Sequence, residues 1–143
     1  MFTEVFENMK KTVRQVAREK AIIGIYQNLA VGADKQDIMN YVKHDDVLKE
    51  GLSAMTFCES LIDIVLKNKE SYIKLIEKYL KRGWTFDRLS KMEQAILLVA
   101  TAEILDTETD ERVVINEAVI NAKSFCDEGS YKFINGILHK VVS

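Results

Sequence analysis

The sequence contains little that would break a helix. Among its 143 residues there is no proline, and there are only six glycines. Proline ends or kinks helices, and a glycine inside a helix costs roughly 1 kcal/mol relative to alanine. The scarcity of both residue types therefore favours an all-α fold.

Sulfur and imidazole ligands for a metal are also scarce. Cys58 and Cys126 are the two cysteines, they are far apart in sequence, and each falls on an apolar helix face. This pattern is typical of buried thiols in a reducing compartment. The two histidines, His44 and His139, have no metal-ligand spacing to each other or to a cysteine. The sequence therefore predicts neither a metal site nor a disulfide.

Three further features are missing. No segment reaches the ~18 apolar residues that a transmembrane helix needs. The start, MFTEVFENMKK, carries glutamates before its lysines and lacks the apolar core of a signal peptide. No GxGxxG, P-loop or GxSxG motif is present. These absences predict a soluble cytoplasmic protein that is not an enzyme and needs no cofactor.

Apolar residues recur every three or four positions along most of the chain, which is the spacing of helices. The pattern predicts seven helices, at about residues 10–30, 34–43, 46–66, 68–80, 90–105, 113–125 and 130–141. The fifth begins with SKME, in which Ser90 can cap the helix and Glu93 can reach back to it. Because this helix is apolar on nearly all sides, we expect it to be the central one.

An Asn-Gly pair, Asn135-Gly136, stands in the middle of the last apolar segment. Asn-Gly between alternating apolar residues is a strong hairpin signal. Here the flanking apolar residues are spaced by three or four positions, so the segment is predicted to be helical. A glycine kept inside a helix suggests that another helix approaches closely at Gly136.

The first helix carries a basic cluster. Five lysines and arginines lie within eleven residues beside a single acid, Glu19. At about 100° per residue, Lys11, Arg14 and Arg18 fall within about 60° of arc. Such a ridge suits a phosphate backbone, and the alternative is an ordinary solvated helix face.

Other polar and aromatic residues are expected to have structural roles. Asn116 and Glu117 lie in a helix that is apolar on one face, and they are expected to tie helices together by hydrogen bonds rather than to catalyse a reaction. Four aromatic residues are assigned to the core rather than to a base-stacking platform: Tyr26, Trp84, Phe125 and Phe133. Phe125 is a possible exception, since it precedes the short loop CDEG and could project at the tip of a helix.

Three long segments resemble the family of the bacterial transcription antitermination factor NusB. They are AREKAIIGIYQ (residues 17–27), WTFDRLSKMEQAILLVATAEIL (84–105) and VVINEAVINAKSFCDEGSYKFINGIL (113–138). The resemblance implies one domain of two packed three-helix bundles, residues 1–82 and 83–143. It also implies a non-enzymatic role. Proteins of this family bind the boxA element of nascent RNA together with the ribosomal protein that serves as NusE. The pair then joins an RNA polymerase complex on ribosomal RNA operons.

The resemblance assigns residues by position to two surfaces. RNA is expected to contact the basic helix and the last inter-helix loop, at Lys10, Lys11, Arg14, Arg18, Phe125 and Lys132. The NusE partner is expected to face Tyr26, Asp87 and Glu93, and a basic ribosomal protein would pair with these carboxylates. A homodimer that covers the basic ridge is also compatible with the resemblance.

Two other interpretations stay open on the sequence. One is a helical module that binds only proteins, through the side that carries Asp87 and Glu93. The other is the RNA-binding domain of a ribosomal RNA methyltransferase, since such enzymes carry a NusB-like domain. Such an enzyme would also need a domain that binds S-adenosylmethionine.

Overall fold

The computed structural model describes residues 11–143, and this part of the chain contains helices and no strand. Six α-helices follow one another: α1 (Val13–Val31), α2 (Lys35–Val42), α3 (Leu52–Glu77), α4 (Lys91–Asp106), α5 (Glu111–Phe125) and α6 (Ser130–Val142). Two short 3₁₀ turns, Leu48–Glu50 and Phe86–Arg88, precede α3 and α4. The all-α prediction is confirmed, with six helices in place of the seven expected.

The difference in number lies in α3, which is one helix of 26 residues rather than two. We expected Asn68 to begin a new helix. Instead its side-chain amide donates to the carbonyl of Ile64 at 3.0 Å, one turn back in the same helix. The start of α3 is also later than expected. The carboxylate of Asp45 accepts from the backbone N–H groups of Val47 and Leu48, both at 3.0 Å, so it caps the 3₁₀ turn instead.

The start of α4 follows its sequence signature. The Ser90 hydroxyl accepts from the N–H of Glu93, and the Glu93 carboxylate accepts from the N–H of Ser90, both at 3.1 Å. This is the predicted capping box. Every residue from Gln94 to Glu103 is buried, and α4 packs against α1, α3, α5 and α6. Its predicted central position is confirmed.

The close helix approach occurs at a different glycine from the one predicted. Gly136 is exposed, and a Cβ placed on it would meet no atom within 4 Å. At Gly24 on α1, a Cβ would lie 2.5 Å from Cγ2 of Ile38 on α2. The expectation for Gly136 is therefore wrong, and Gly24 is the position where a missing side chain lets two helices meet.

None of the helices within residues 11–143 combines the length and the apolar character that crossing a membrane requires.

Candidate nucleic-acid and protein interfaces

Arg14 is the best-exposed cation of the predicted basic ridge. It lies in the first turn of α1, and its guanidinium carbon is 3.9 Å from the centre of the Phe57 ring on α3. This cation–π contact orients the group while leaving its N–H donors free. Among the ion pairs that residues 11–143 form with one another, none includes Arg14. It is therefore not neutralised by an ion pair, although Asp106 and Glu108 line the same groove.

Lys11 stands just before α1 and is half-buried, and it shares its charge with an acid. Its ammonium is 2.6 Å from Oε1 of Glu19, two turns along α1. The side chain is 35% exposed, so it can still reach a ligand. Lys10, which was also assigned to the RNA contact, lies outside the described residues.

Arg18 points into the protein and is buried. Its Nε and Nη2 donate to the two carboxylate oxygens of Glu103 on α4, each at 2.8 Å. Burial lowers the pKa of Arg18. The hydrogen bond to Glu103 and the charges of Glu103 and Glu117 raise the pKa by more, so the net shift is upward. The predicted arc of three cations thus runs from the exposed side of α1, at Arg14, to its buried side, at Arg18. In this structure Arg18 joins two helices and is not part of the exposed ridge.

The expected structural role of Glu117 is confirmed. The Gln15 amide on α1 donates to both carboxylate oxygens of Glu117 on α5, at 3.1 and 3.3 Å. Gln15 also takes part in the capping box of α1 with Thr12. Asn116, which we expected to act similarly, is exposed. The start of α1 is therefore fixed to α4 by Arg18 and to α5 by Gln15.

Phe125 and Lys132 flank the loop between α5 and α6. Phe125 is half-buried at the end of α5, and Lys132 is exposed in the first turn of α6. The ammonium groups of Lys123 and Lys132 lie 4.6 and 6.0 Å from the centre of the Tyr131 ring. Lys123 and Tyr131 were missed by the sequence analysis. A cation–aromatic cluster at the ends of two helices has no linear signature.

The cations at the start of α1 and those beside the α5–α6 loop lie far apart along the helices. Glu117 is the point at which α5 contacts the start of α1. Phe125 is eight residues further along α5, which corresponds to roughly 12 Å of helix. A single ligand that touched both Arg14 and Lys132 would therefore have to be extended, as a nucleic-acid strand can be.

The structure brings two of the three predicted partner residues, Tyr26 and Glu93, to the same side of the molecule, where α1 ends and α4 begins. Arg18 contacts Glu103 near the end of α4, whereas Ile22 shares a cleft with Ile96 nearer its start. The two helices therefore run in opposite directions. Tyr26, one turn beyond Ile22 and 37% exposed, then lies toward the start of α4, where Glu93 caps the helix.

Asp87 lies in the 3₁₀ turn just before α4 and is exposed. A hydrogen bond from the Thr85 hydroxyl, at 2.6 Å, lowers the pKa of its carboxyl group, and the charges of Lys91 and Arg88 add to this effect. Asp87 is therefore ionised at neutral pH. With Glu93 it places two carboxylates around the start of α4.

Two of the four aromatic residues assigned to the core are at the surface. Trp84 is 45% exposed and Tyr26 is 37% exposed, while Phe125 and Phe133 are half-buried. The spacing of apolar residues in helices could not predict the burial of Trp84, because Trp84 lies in the connection between α3 and α4.

The described residues form a small all-α protein. Among residues 11–143, no three His, Cys, Asp or Glu side chains are grouped closely enough to hold a metal ion. The sequence profile of the NusB family matches residues 15–143. The chain belongs to the NusB family, which consists of non-enzymatic transcription antitermination factors.

Individual relatives agree with this assignment. The chain is 36% identical over 140 residues to the transcription antitermination protein NusB of Burkholderia ambifaria strain MC40-6, covering 94% of this chain and 91% of the relative. It is 46% identical over 104 residues to NusB of Lactococcus lactis, covering 73% of this chain. The match spans about half of that longer relative, 53% of its length.

Solved structures share the fold. T. maritima NusB superposes with a TM-score of 0.78 at 27% identity, covering 92% of this chain and 91% of that one. A crystal structure of antitermination factors NusB and NusE in complex with double-stranded RNA superposes with a TM-score of 0.76 at 25% identity, covering 90% and 95%.

Proposed function

We propose that this protein is a transcription antitermination adaptor that binds boxA-type RNA together with the ribosomal protein acting as NusE. In this role it would join the RNA polymerase antitermination complex and support transcription of ribosomal RNA operons. Membership of the NusB family and the similarity to a NusB–NusE–RNA complex support the proposal. The division of the domain into bundles of residues 1–82 and 83–143 stays a prediction.

The observation that carries the RNA part is the state of Arg14. Its guanidinium is exposed, held over Phe57 and without a carboxylate partner among the described residues. A positioned arginine without an ion-pair partner is suited to a phosphate group, since its donors match phosphate oxygens in pairs. Lys11 adds a second cation to this contact, and Lys10 is proposed with it from the sequence. Arg18 has the indirect role of holding α1 in place.

The RNA would run from Arg14 along α1 and α5 to Phe125 and Lys132. Phosphates attract the cations at both ends, and the half-buried Phe125 offers an edge on which an unpaired base can pack. The partner protein would bind beside this path, at Tyr26, Asp87 and Glu93. Carboxylates at that position suit a basic protein and repel RNA, so the two ligands would occupy neighbouring surfaces.

The test is the salt dependence of RNA binding, measured by fluorescence anisotropy of a labelled boxA-like RNA. Each phosphate contact contributes about 0.7 to the slope of log K against log salt concentration for a single strand. We expect Arg14→Ala to weaken binding and to lower the slope by about that amount. Arg82→Gln is the matched control, because Arg82 is an exposed arginine beyond the end of α3, whereas Arg14 lies over Phe57 near the start of that helix. An unchanged slope in Arg14→Ala would contradict the assignment of this residue.

We also propose that the protein can form a homodimer. If it covered the ridge, dimerisation would compete with RNA and the free monomer would rise only as about the square root of the total protein concentration, so the same titration would give a broader curve than one-site binding.

A further inference from the structure

A pocket of about 420 Å³ opens between the end of α3, the 3₁₀ turn before α4 and the start of α6. This volume lies in the range of roughly 300–1,000 Å³ that binds small molecules. A single large side chain from another protein therefore fits into it. Four of the groups that line the pocket are apolar or aromatic: Leu80, Trp84, Leu89 and Phe133.

Trp84 leaves a large aromatic surface open to water at this pocket. Its side chain is 45% exposed, although aromatic side chains bury a large apolar area when an interface covers them. The guanidinium carbon of Arg88 lies 4.8 Å from the centre of the indole ring, and this cation–π contact positions the ring. Tryptophan and arginine are the residue types most enriched among those that dominate the binding energy of protein interfaces. The pair therefore indicates a place where a partner protein inserts an anchoring side chain.

The rim of the pocket carries both signs of charge. Lys81 and Arg88 line the pocket together with Glu93, and Asp87 adjoins Arg88 in the same 3₁₀ turn. A nucleic-acid strand offers only negative phosphates and would meet the two carboxylates unfavourably, whereas a protein surface offers both signs and an apolar side chain.

Charge alone would not hold a basic protein at this rim. Between residues 78 and 93 there are five exposed cations and two acids, Asp87 and Glu93. The affinity of a protein partner at this place therefore has to come mainly from apolar burial, which the pocket supplies.

We propose that this pocket holds an apolar or aromatic side chain of the ribosomal protein acting as NusE, packed against Trp84 and Phe133. The inference rests on the proposed function, and it adds an apolar anchor to the partner surface described above. Glu93 belongs both to that surface and to the wall of the pocket, so the two are continuous. Because Phe133 directly follows Lys132 in α6, the anchored side chain would adjoin the end of the proposed RNA path without occupying it.

An apolar anchor and a charged rim have different effects on the binding rates. Charges mainly speed the encounter, whereas contacts that form after docking mainly slow dissociation. We expect Trp84→Ala to raise the dissociation rate of the NusE partner about tenfold or more, measured by surface plasmon resonance. Its association rate should stay within about twofold of the wild type. Asp87→Asn should show the reverse, with slower association and a nearly unchanged dissociation rate.

Two further variants serve as controls. Trp84→Phe keeps an aromatic face and should stay within about threefold of the wild-type affinity. Leu52→Ala truncates an apolar side chain that is 83% exposed at the other end of α3, and it should leave both rates unchanged. Thermal unfolding of each variant, followed by circular dichroism, shows whether the fold is kept.

Trp84 is the only tryptophan in the chain, so its fluorescence reports on the pocket directly. The intact chain is titrated with the NusE partner, and the Trp84→Phe variant supplies the blank for any emission from the partner. We expect the emission of Trp84 to shift to shorter wavelength as the partner saturates, because the indole then leaves water. Single-stranded boxA-like RNA alone should not cause this shift.

The outcomes separate this inference from the proposed function. Partner binding with unchanged emission, or with an unchanged dissociation rate in Trp84→Ala, would overturn the pocket assignment and leave the adaptor function intact. An emission shift caused by RNA but not by the partner would also overturn the assignment, since the pocket would then hold a base. Failure of the partner to bind at all, with or without RNA, would overturn the proposed function and this inference together.

Discussion

Arg18 on α1 and Glu103 on α4 form a buried, bidentate ion pair with both N···O distances at 2.8 Å. A cation that the sequence placed on an RNA-binding ridge thus connects two helices. The pair fixes the register of α1 against the central helix, and Arg14, one turn earlier, is left at the surface over Phe57. The geometry of the proposed RNA site therefore depends on a residue that does not face the solvent.

Breaking this pair should destabilise the protein strongly. Arg18→Met would leave Glu103, which is 1% exposed, as a buried carboxylate without its partner. Removing one member of a buried pair costs about 3–5 kcal/mol, whereas replacing both by apolar residues is often neutral. We expect that loss in the free energy of unfolding, measured by urea denaturation, and recovery of most of it in Arg18→Met/Glu103→Leu. A single variant as stable as the wild type would contradict this role.

The two helical glycines should respond in opposite ways to alanine. Gly24→Ala places a methyl group 2.5 Å from Cγ2 of Ile38, a fully buried side chain, so that atoms on one of the two helices must shift. Overpacking of this kind costs about 1–3 kcal/mol. Gly136→Ala meets no atom and should stabilise the exposed helix by up to about 1 kcal/mol. Thermal unfolding of the two variants side by side checks both signs, and a stabilising Gly24→Ala would show that α1 and α2 are not in close contact.

Cys58 should make the protein less stable at alkaline pH. Burial, with the charges of Asp45 and Glu59 adding and that of Lys20 opposing, raises the pKa of its thiol from 9.0 to about 12. Below pH 9 the thiol is neutral in both the folded and the unfolded chain, so its contribution to stability is fully present. Between pH 9 and about 12 only the unfolded chain ionises, so stability falls by up to about 1.4 kcal/mol per pH unit.

The comparison that isolates this effect is Cys58→Ala, because all other titrating groups are shared. Urea denaturation at pH 8, 9, 10 and 11 should show the gap between the wild type and the variant narrowing, or changing sign, as the pH rises. Parallel curves over this range would mean that the thiol ionises as easily in the folded protein as in the unfolded one.

Removing the carboxylate charges at the start of α4 should weaken binding of the NusE partner. Asp87→Asn and Glu93→Gln are suited to this test, because an amide can still accept from Thr85 and from the N–H of Ser90. Charge pairs at the rim of an interface act mainly on the association rate. We therefore expect slower association, measured by surface plasmon resonance, and a weaker dependence on salt.

Glu50→Gln is the control for these variants. Glu50 is exposed, and it adjoins Gly51, which lies near Val13 at the opposite end of α1 from Tyr26. Equal effects of Glu50→Gln and Glu93→Gln would indicate only a general attraction between an acidic and a basic protein, and the assigned surface would be wrong.

The parts of this structure that could be predicted from sequence are those governed by local spacing. The helical period, the Ser90–Glu93 capping box and the buried α4 all depend on residues a few positions apart. Asn68 was misread as a helix start, because an asparagine can equally well bond one turn back inside a helix. The helical arc placed Arg18 beside Arg14 correctly, but it could not show that Glu103, 85 positions away, would pair with Arg18.

The same limit applies to the candidate sites. The exposure of Trp84 depends on how the α3–α4 connection packs. The rings of Phe57 and Tyr131 each contact a cation from another helix, and the sequence does not show this pairing. The resemblance to the NusB family predicted which surfaces would carry the RNA and partner contacts.

The most direct test of the adaptor role is whether RNA and the ribosomal protein bind cooperatively. Fluorescence anisotropy of a labelled boxA-like RNA, titrated with this protein with and without the NusE partner at two salt concentrations, measures this coupling. The account predicts that the partner tightens binding of the boxA-like RNA and leaves a scrambled RNA of the same composition unaffected. Equal affinities with and without the partner, or equal tightening of both RNAs, would contradict it.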